Sequence, residues 1–286
     1  MSVTPKVAVL GLGLMGAAMA RRVSGAGLAT TVWNRSALRA EAFADGPAIV
    51  AGDIAAAVAD ADVVLTMLFD AEAVQAVIAE ALPAMPAGAI WLQCSTVGVD
   101  AAGRFAEAAT AAGVGFVDAP VLGTKAPAEA GTLTSLLAGT DAALAAVEPV
   151  IAAIASRTVR AGDAAPAASA LKLAINAWIA TVTAGIAQSL TIADRLGLDP
   201  ALVLEALHGA AADSPYAQLK GSAMLRQGFD AQFEVVGLLK DVRLAREATI
   251  GMPQPLLAAL EELYASAADG GAGRSDIAAV WLAFQD

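Results

Sequence analysis

The chain has 286 residues, 58% of them hydrophobic, a net charge of −11, one cysteine and one histidine. That length exceeds one typical compact core and fits two domains. The acidic balance disfavours binding to a nucleic-acid backbone, a single histidine (His208) cannot build a His-rich metal site, and a single cysteine (Cys94) cannot form an internal disulfide. Such cysteine use fits a reducing, cytoplasmic setting, with Cys94 as a small buried hydrophobe.

In chain order, Val7-Ala8-Val9-Leu10 reads as a strand. Lys6 ahead of it, and the glycines behind it, do not read as a signal peptide. Ala17 to Ala26 reads as a helix and Thr30 to Asn34 as a second strand. Further strands are expected at Asp62–Met67, Ala89–Gln93 and Gly115–Asp118, separated by alanine-rich helical stretches. The alternation predicts an α/β domain with a mostly parallel sheet. Near Gly162-Asp163 the pattern changes, and no further strand is expected. Long helical patterns follow over Ala167–Leu196, Pro200–His208, Phe233–Ile250 and Pro253–Asp269, with Gly197, Gly251 and Gly270-Gly271 placed as helix stops. The expected organisation is a Rossmann dinucleotide-binding domain over residues 1–163 and an all-α domain over 164–286, joined by a long helix.

Gly11-Leu12-Gly13-Leu14-Met15-Gly16 follows the first strand and opens the first helix. In that setting G-x-G-x-x-G has a mechanism. The first glycine permits a tight turn, the second lets a pyrophosphate approach the backbone, and the third lets helix and strand pack closely. The helix N-terminus then faces the anion. At the end of the second strand, where an NAD site usually carries an acid for the ribose hydroxyls, stands Asn34-Arg35-Ser36. Arg35 can pair with a 2′-phosphate while Asn34 and Ser36 donate hydrogen bonds to it, which favours NADP (as NADPH) over NAD.

Leu173 to Ala193 is a 21-residue run without a charge, long enough to span a bilayer. Its Asn176, Thr181, Thr183, Gln188 and Ser189, and its many alanines, favour a helix buried in protein or between subunits instead. Lys172 and Asn176 lie four residues apart at the start of this run, hence on one helix face. A charged lysine opening a neutral, buried helix needs a partner or a lowered pKa, and in either case becomes a candidate proton donor. A lysine that snorkels to the surface from a helix end is the plain alternative.

Four segments occur in order: the glycine loop Gly11–Gly16, Asp118-Ala119-Pro120-Val121, Lys172-Leu173-Ala174-Ile175-Asn176, and Lys240-Asp241-Val242-Arg243-Leu244-Ala245. Together they resemble the β-hydroxyacid dehydrogenase family, which includes 3-hydroxyisobutyrate dehydrogenase and the glyoxylate and succinic semialdehyde reductases. The resemblance spans nearly the whole chain. It implies an NADPH-dependent reduction of a small aldehyde or ketone in the cleft between domains, with Lys172 as general acid/base and Asn176 orienting lysine or substrate. It also implies cofactor contacts from Gly11, Gly13, Leu14, Met15, Gly16, Thr96 and Lys240, and a homodimer or homotetramer; the charge and composition point to no membrane or nucleic-acid partner. The family usually carries Ser-Gly-Gly after Asp-Ala-Pro-Val, to receive a substrate carboxylate. Here Leu122-Gly123-Thr124 stand in that place. Leucine cannot donate a hydrogen bond, so a more apolar substrate becomes plausible, and reduction of apolar cyclic imines is the alternative. A non-catalytic binding module of the same fold is the third reading; retention of Lys172 argues against it.

Overall fold

The structure, a computed structural model, describes residues 4–285. The chain divides into two compact units, with the division between Lys172 and Leu173.

The first unit is built on one twisted sheet. Its strands are β1 (Val7–Leu10), β2 (Thr30–Trp33), β3 (Ile49–Val50), β4 (Val63–Thr66), β5 (Ile90–Gln93), β6 (Gly115–Asp118), β7 (Val121–Leu122), β8 (Leu133–Ala138) and β9 (Ala155–Gly162). Helices α1 (Leu14–Gly25), α2 (Ala37–Glu41), α3 (Ile54–Val58), α4 (Ala71–Ala81), α5 (Val99–Ala111), α6 (Lys125–Ala130) and α7 (Asp141–Ile154) connect them. The strand order β3-β2-β1-β4-β5-β6-β8-β7, with β9 also paired to β8, is parallel from β3 through β6. β8 runs antiparallel to β6 and β7, and β9 is parallel to β8.

Both faces of this sheet are covered, which explains why β1 is apolar at every position and β4 and β5 are apolar up to their last residues, Thr66 and Gln93. Val7 and Val9 face one core with Met19 and Val23 of α1 and Val150 and Ile154 of α7. Ala8 and Leu10 face the other, with Ile54, Val74, Ile78, Trp91 and Phe105. Successive strand residues thus go to opposite cores, as the two-residue period requires.

All five strands expected from sequence are present, but β3, β7, β8 and β9 were not anticipated. β9 is an edge strand, Ala-Ser-Arg-Thr-Val-Arg-Ala-Gly, largely solvent-facing and so lacking an apolar run. β3 and β7 have two residues each. Helix α1 starts at Leu14 rather than Ala17, because the second half of the glycine motif is already its first turn.

The long helix α8 (Ala167–Arg195) crosses the division. The second unit adds α9 (Ala201–Leu207), α10 (Pro215–Leu225), α11 (Val235–Ala248), α12 (Pro255–Ala267) and a C-terminal 3₁₀ segment, Ile277–Phe284. Helix α10 and the 3₁₀ segment were not anticipated. Helix α8 is long and apolar enough to cross a membrane, with a mean hydropathy of 1.4. Its Ala180, Ala184, Ala187 and Leu190 pack in the core of the second unit with Leu238, Val242, Leu260 and Tyr264. Gly197, Gly251 and Gly271 have φ of +78°, +95° and +93°, matching the expected helix stops.

One buried polar knot stands inside that core. Lys220 Nζ donates to Asp276 Oδ1 at 2.7 Å, with both side chains about 95% buried. Asp276 Oδ1 also caps the 3₁₀ segment by accepting from the Ala278 N–H at 3.0 Å, and Oδ2 accepts from the N–H groups of Gln232 and Phe233. His208 is exposed and ends α9.

Candidate active site

The glycine loop leaves β1 and enters α1 where the strand order turns, β2 lying on one side of β1 and β4 on the other. In open α/β sheets this crevice at the carboxyl ends of the strands is where ligands bind. The three glycines differ in what surrounds them. At Gly11, φ is +104°, and a Cβ would strike the Met67 carbonyl oxygen. A Cβ on Gly16 would strike the Gly11 carbonyl oxygen. Gly13 has ordinary extended angles, and its hypothetical Cβ meets nothing nearer than Arg39 Nη1 at 3.9 Å. The loop therefore has two glycines demanded by the fold and one that opens a cradle a Cβ would fill. A dinucleotide pyrophosphate fits that cradle, at the N-terminus of a twelve-residue helix.

The Asn34-Arg35-Ser36 turn is placed beside this loop. Asn34 Oδ1 accepts the Leu12 N–H at 2.9 Å, and Asn34 Nδ2 donates to the Ser36 carbonyl at 3.1 Å. The Asn34 side chain thus ties the two turns together. Arg35 and Ser36 are exposed, with Ser36 at the start of α2. Arg39, within α2, brings its guanidinium to Gly13, with Nη1 3.9 Å from where a Cβ would stand. Sequence reasoning missed Arg39; the helix-start serine three residues earlier is the signal that places it.

Thr96 lies just past β5, half-buried. A buried network sets this strand end. Trp91 Nε1 donates to Thr66 Oγ1 at 2.9 Å, Gln93 Oε1 accepts the Ser95 N–H at 2.8 Å, and Ser95 Oγ accepts the Leu68 N–H at 2.9 Å. A glutamine and a serine at the end of an apolar strand were the visible signal. Past β6, Leu122 ends β7 and is half-buried. Gly123 is exposed, with a φ of +123° that favours glycine, and Thr124 starts α6.

Lys172 is buried in α8, with 7% of its surface exposed. Asn176 follows one turn later on the same helix and is fully buried. In the second unit, Asn176 Nδ2 donates to Asp241 Oδ2 at 2.6 Å, and Lys240 Nζ donates to Asp241 Oδ1 at 2.6 Å. The carboxylate fixes which end of the Asn176 amide is which. The carbonyl Oδ1 of Asn176 is left buried and accepts no hydrogen bond among the described residues. A buried acceptor of this kind is costly unless a donor reaches it.

Residues 6–162 match the sequence family described as the NAD binding domain of 6-phosphogluconate dehydrogenase. Residues 166–283 match the family described as the NAD-binding domain of NADP-dependent 3-hydroxyisobutyrate dehydrogenase. Glyoxylate/succinic semialdehyde reductase 1 of Arabidopsis thaliana is 30% identical over 96% of this chain and 96% of its own. The 3-hydroxyisobutyrate dehydrogenase of Mycobacterium tuberculosis superposes with a TM-score of 0.90 at 27% identity, over 99% of this chain and 100% of that one. A reductive aminase from Aspergillus terreus superposes with a TM-score of 0.65 at 27% identity, over 97% of this chain and 98% of that one. The chain belongs to the β-hydroxyacid dehydrogenase family and is an NAD(P)-dependent oxidoreductase.

Proposed function

We propose that the protein is an NADPH-dependent reductase of small aldehydes or ketones, of the semialdehyde/glyoxylate reductase type, with Lys172 as the general acid. The observation that carries this reading is a buried lysine on α8, one helical turn ahead of a buried asparagine whose amide orientation is fixed. Gly13 and the N-terminus of α1 receive the pyrophosphate, and Leu14, Met15 and Thr96 line the approach. Arg35, supported by Arg39, receives the 2′-phosphate, while Asn34 braces the loop and Ser36 supplies a hydroxyl. Guanidinium forks suit a phosphate dianion, which offers the charge and the paired acceptor oxygens that an unphosphorylated ribose lacks.

When bound, the reduced nicotinamide supplies the hydride to the carbonyl carbon. The Lys172 ammonium hydrogen-bonds the carbonyl oxygen, stabilises the charge that develops there, and transfers its proton to the alkoxide. Running backward, neutral Lys172 takes the proton from the hydroxyl. Asn176 offers Oδ1 as an acceptor one turn along the same helix, which favours a fixed N–H or O–H direction at that point. Leu122, Gly123 and Thr124 hold the remainder of the substrate. The Thr124 hydroxyl and the backbone N–H groups stand in for a serine donor.

A second reading, reduction of cyclic imines, is favoured by Leu122 and by the likeness to a reductive aminase. The retained lysine ranks it lower. Exposed Trp178 and Ile192 on α8 support self-association as a homodimer or homotetramer.

The test is a substrate panel with NADPH and NADH: glyoxylate, succinic semialdehyde, an uncharged small aldehyde and a cyclic imine. Faster oxidation of NADPH with the carboxylate-bearing aldehydes is expected. Turnover of the imine alone replaces the first reading by the second, and equal rates with NADH remove the assignment of Arg35.

A further inference from the structure

Asp118 is the last residue of β6, an acid at the end of a strand whose interior is apolar, and it is fully buried. Nothing in the proton transfer or in the cofactor cradle uses it. Its two oxygens point at the start of α8. Oδ2 accepts the Ser169 N–H at 2.7 Å and Oδ1 accepts the Ser169 hydroxyl at 2.7 Å. The Ala168 N–H also reaches the carboxyl group. α8 begins at Ala167, so these are N–H groups that a helix leaves without partners of its own. An ionised carboxylate there also lies favourably in the helix dipole. Burial pushes the Asp118 carboxyl upward, and the bonds from Ser169 and Ala168 pull it back.

Lys172 lies three residues after Ser169 on this helix, roughly one turn or about 4.5 Å along the axis. Leu122, Gly123 and Thr124 follow Asp118 within six residues of chain. The same strand end therefore launches the substrate loop and holds the start of the lysine helix. The geometry points to Asp118, acting with Ser169, as a positioning residue for Lys172: a carboxylate clamp that sets where the proton donor stands relative to the Leu122–Thr124 loop. A bare helix cap could be supplied locally by a serine or aspartate just ahead of α8. Here it comes from a strand 51 residues away, which fixes a distance that a local cap would leave free. Misplacing a catalytic group by about 1 Å can cost on the order of a hundredfold in rate.

The inference rests on Lys172 being the proton donor, and a double-mutant cycle separates the two. The variants are Asp118→Ala, Asp118→Asn, Ser169→Ala and Lys172→Met, alone and combined. Each is assayed with NADPH and succinic semialdehyde, alongside NADPH titration and thermal unfolding. Asp118→Ala is expected to lower kcat about tenfold or more with KM changed by less than about threefold, as for a group that acts on the chemical step. Asp118→Asn, which keeps an oxygen for the Ser169 N–H, is expected to lose less. In the Lys172→Met background the same changes are expected to have no further effect on residual turnover, the signature of groups acting as a unit.

Equal losses with and without Lys172 would overturn the clamp, as would full kcat in folded Asp118→Ala. If Asp118→Ala fails to fold, the Asp118→Asn and Ser169→Ala arms carry the same cycle. Full turnover by Lys172→Met would instead remove the parent reading.

Discussion

Replacing Gly13 by alanine separates the loop's role in folding from its role in binding. Gly13 has φ −72° and ψ −167°, angles that alanine adopts freely, and the added methyl meets only Arg39 Nη1 at 3.9 Å. Stability should therefore change by no more than about 0.5 kcal/mol. On the proposed placement, the methyl occupies the space into which the pyrophosphate comes. Pushing the phosphates off their N–H donors should weaken NADPH at least tenfold, or about 1.4 kcal/mol. Gly16→Ala is the contrast. Its methyl would collide with the Gly11 carbonyl oxygen, which belongs to rigid backbone, and an overpacked site of this kind costs roughly 1–3 kcal/mol before any ligand is added. The assay is thermal unfolding with and without NADPH, beside a fluorescence titration. Gly13→Ala should melt like the parent alone and lose its stabilisation by NADPH, while Gly16→Ala should melt early in both conditions. A Gly13→Ala protein that binds NADPH as tightly as the parent would refute the placement of the pyrophosphate.

The knot at Asp276 makes a second prediction. Asp276→Ala leaves the Lys220 ammonium buried without its partner and removes a cap, so a loss of about 3–5 kcal/mol is expected in urea unfolding. Lys220→Met leaves a carboxylate still bonded by three backbone N–H groups and should cost less; equal losses would contradict this. Between α11 and α12, Arg246 and Arg243 bond Glu261 and hold its carboxyl below the usual range. A lowered folded pKa gives stability that is present above the unfolded value, about 4.3, and is lost as pH falls through the folded one. Glu261→Gln should thus cost up to about 1 kcal/mol at pH 7, with the difference shrinking in acid. A difference that stays constant with pH would count against the ion pairs.

What could be read from sequence was local. The strand–glycine–helix unit at Val7–Gly25 and the long uncharged helix each announce themselves over a few consecutive residues. β9 did not, because a polar edge strand carries no apolar run. Helix α10 is capped by Ser214 and opened by Pro215, but Pro215–Leu225 carry no clear apolar stripe, so the sequence pattern alone does not mark it as a helix. At the site, the turn Asn34-Arg35-Ser36 is legible in the sequence as a candidate contact for a 2′-phosphate. That Asn34 braces Leu12 was not, because the bond spans 22 residues. Asp118 with Ser169, and Asn176 with Asp241, are partners 51 and 65 residues apart. Only the folded chain brings such pairs together.

The most direct test of the central claim is turnover by Lys172→Met with NADPH and the best carbonyl substrate of the panel, measured beside NADPH affinity. The account predicts that kcat falls about a hundredfold or more, as for loss of a general acid, while NADPH binds as before. A variant that binds NADPH and turns over at the parent rate would contradict it.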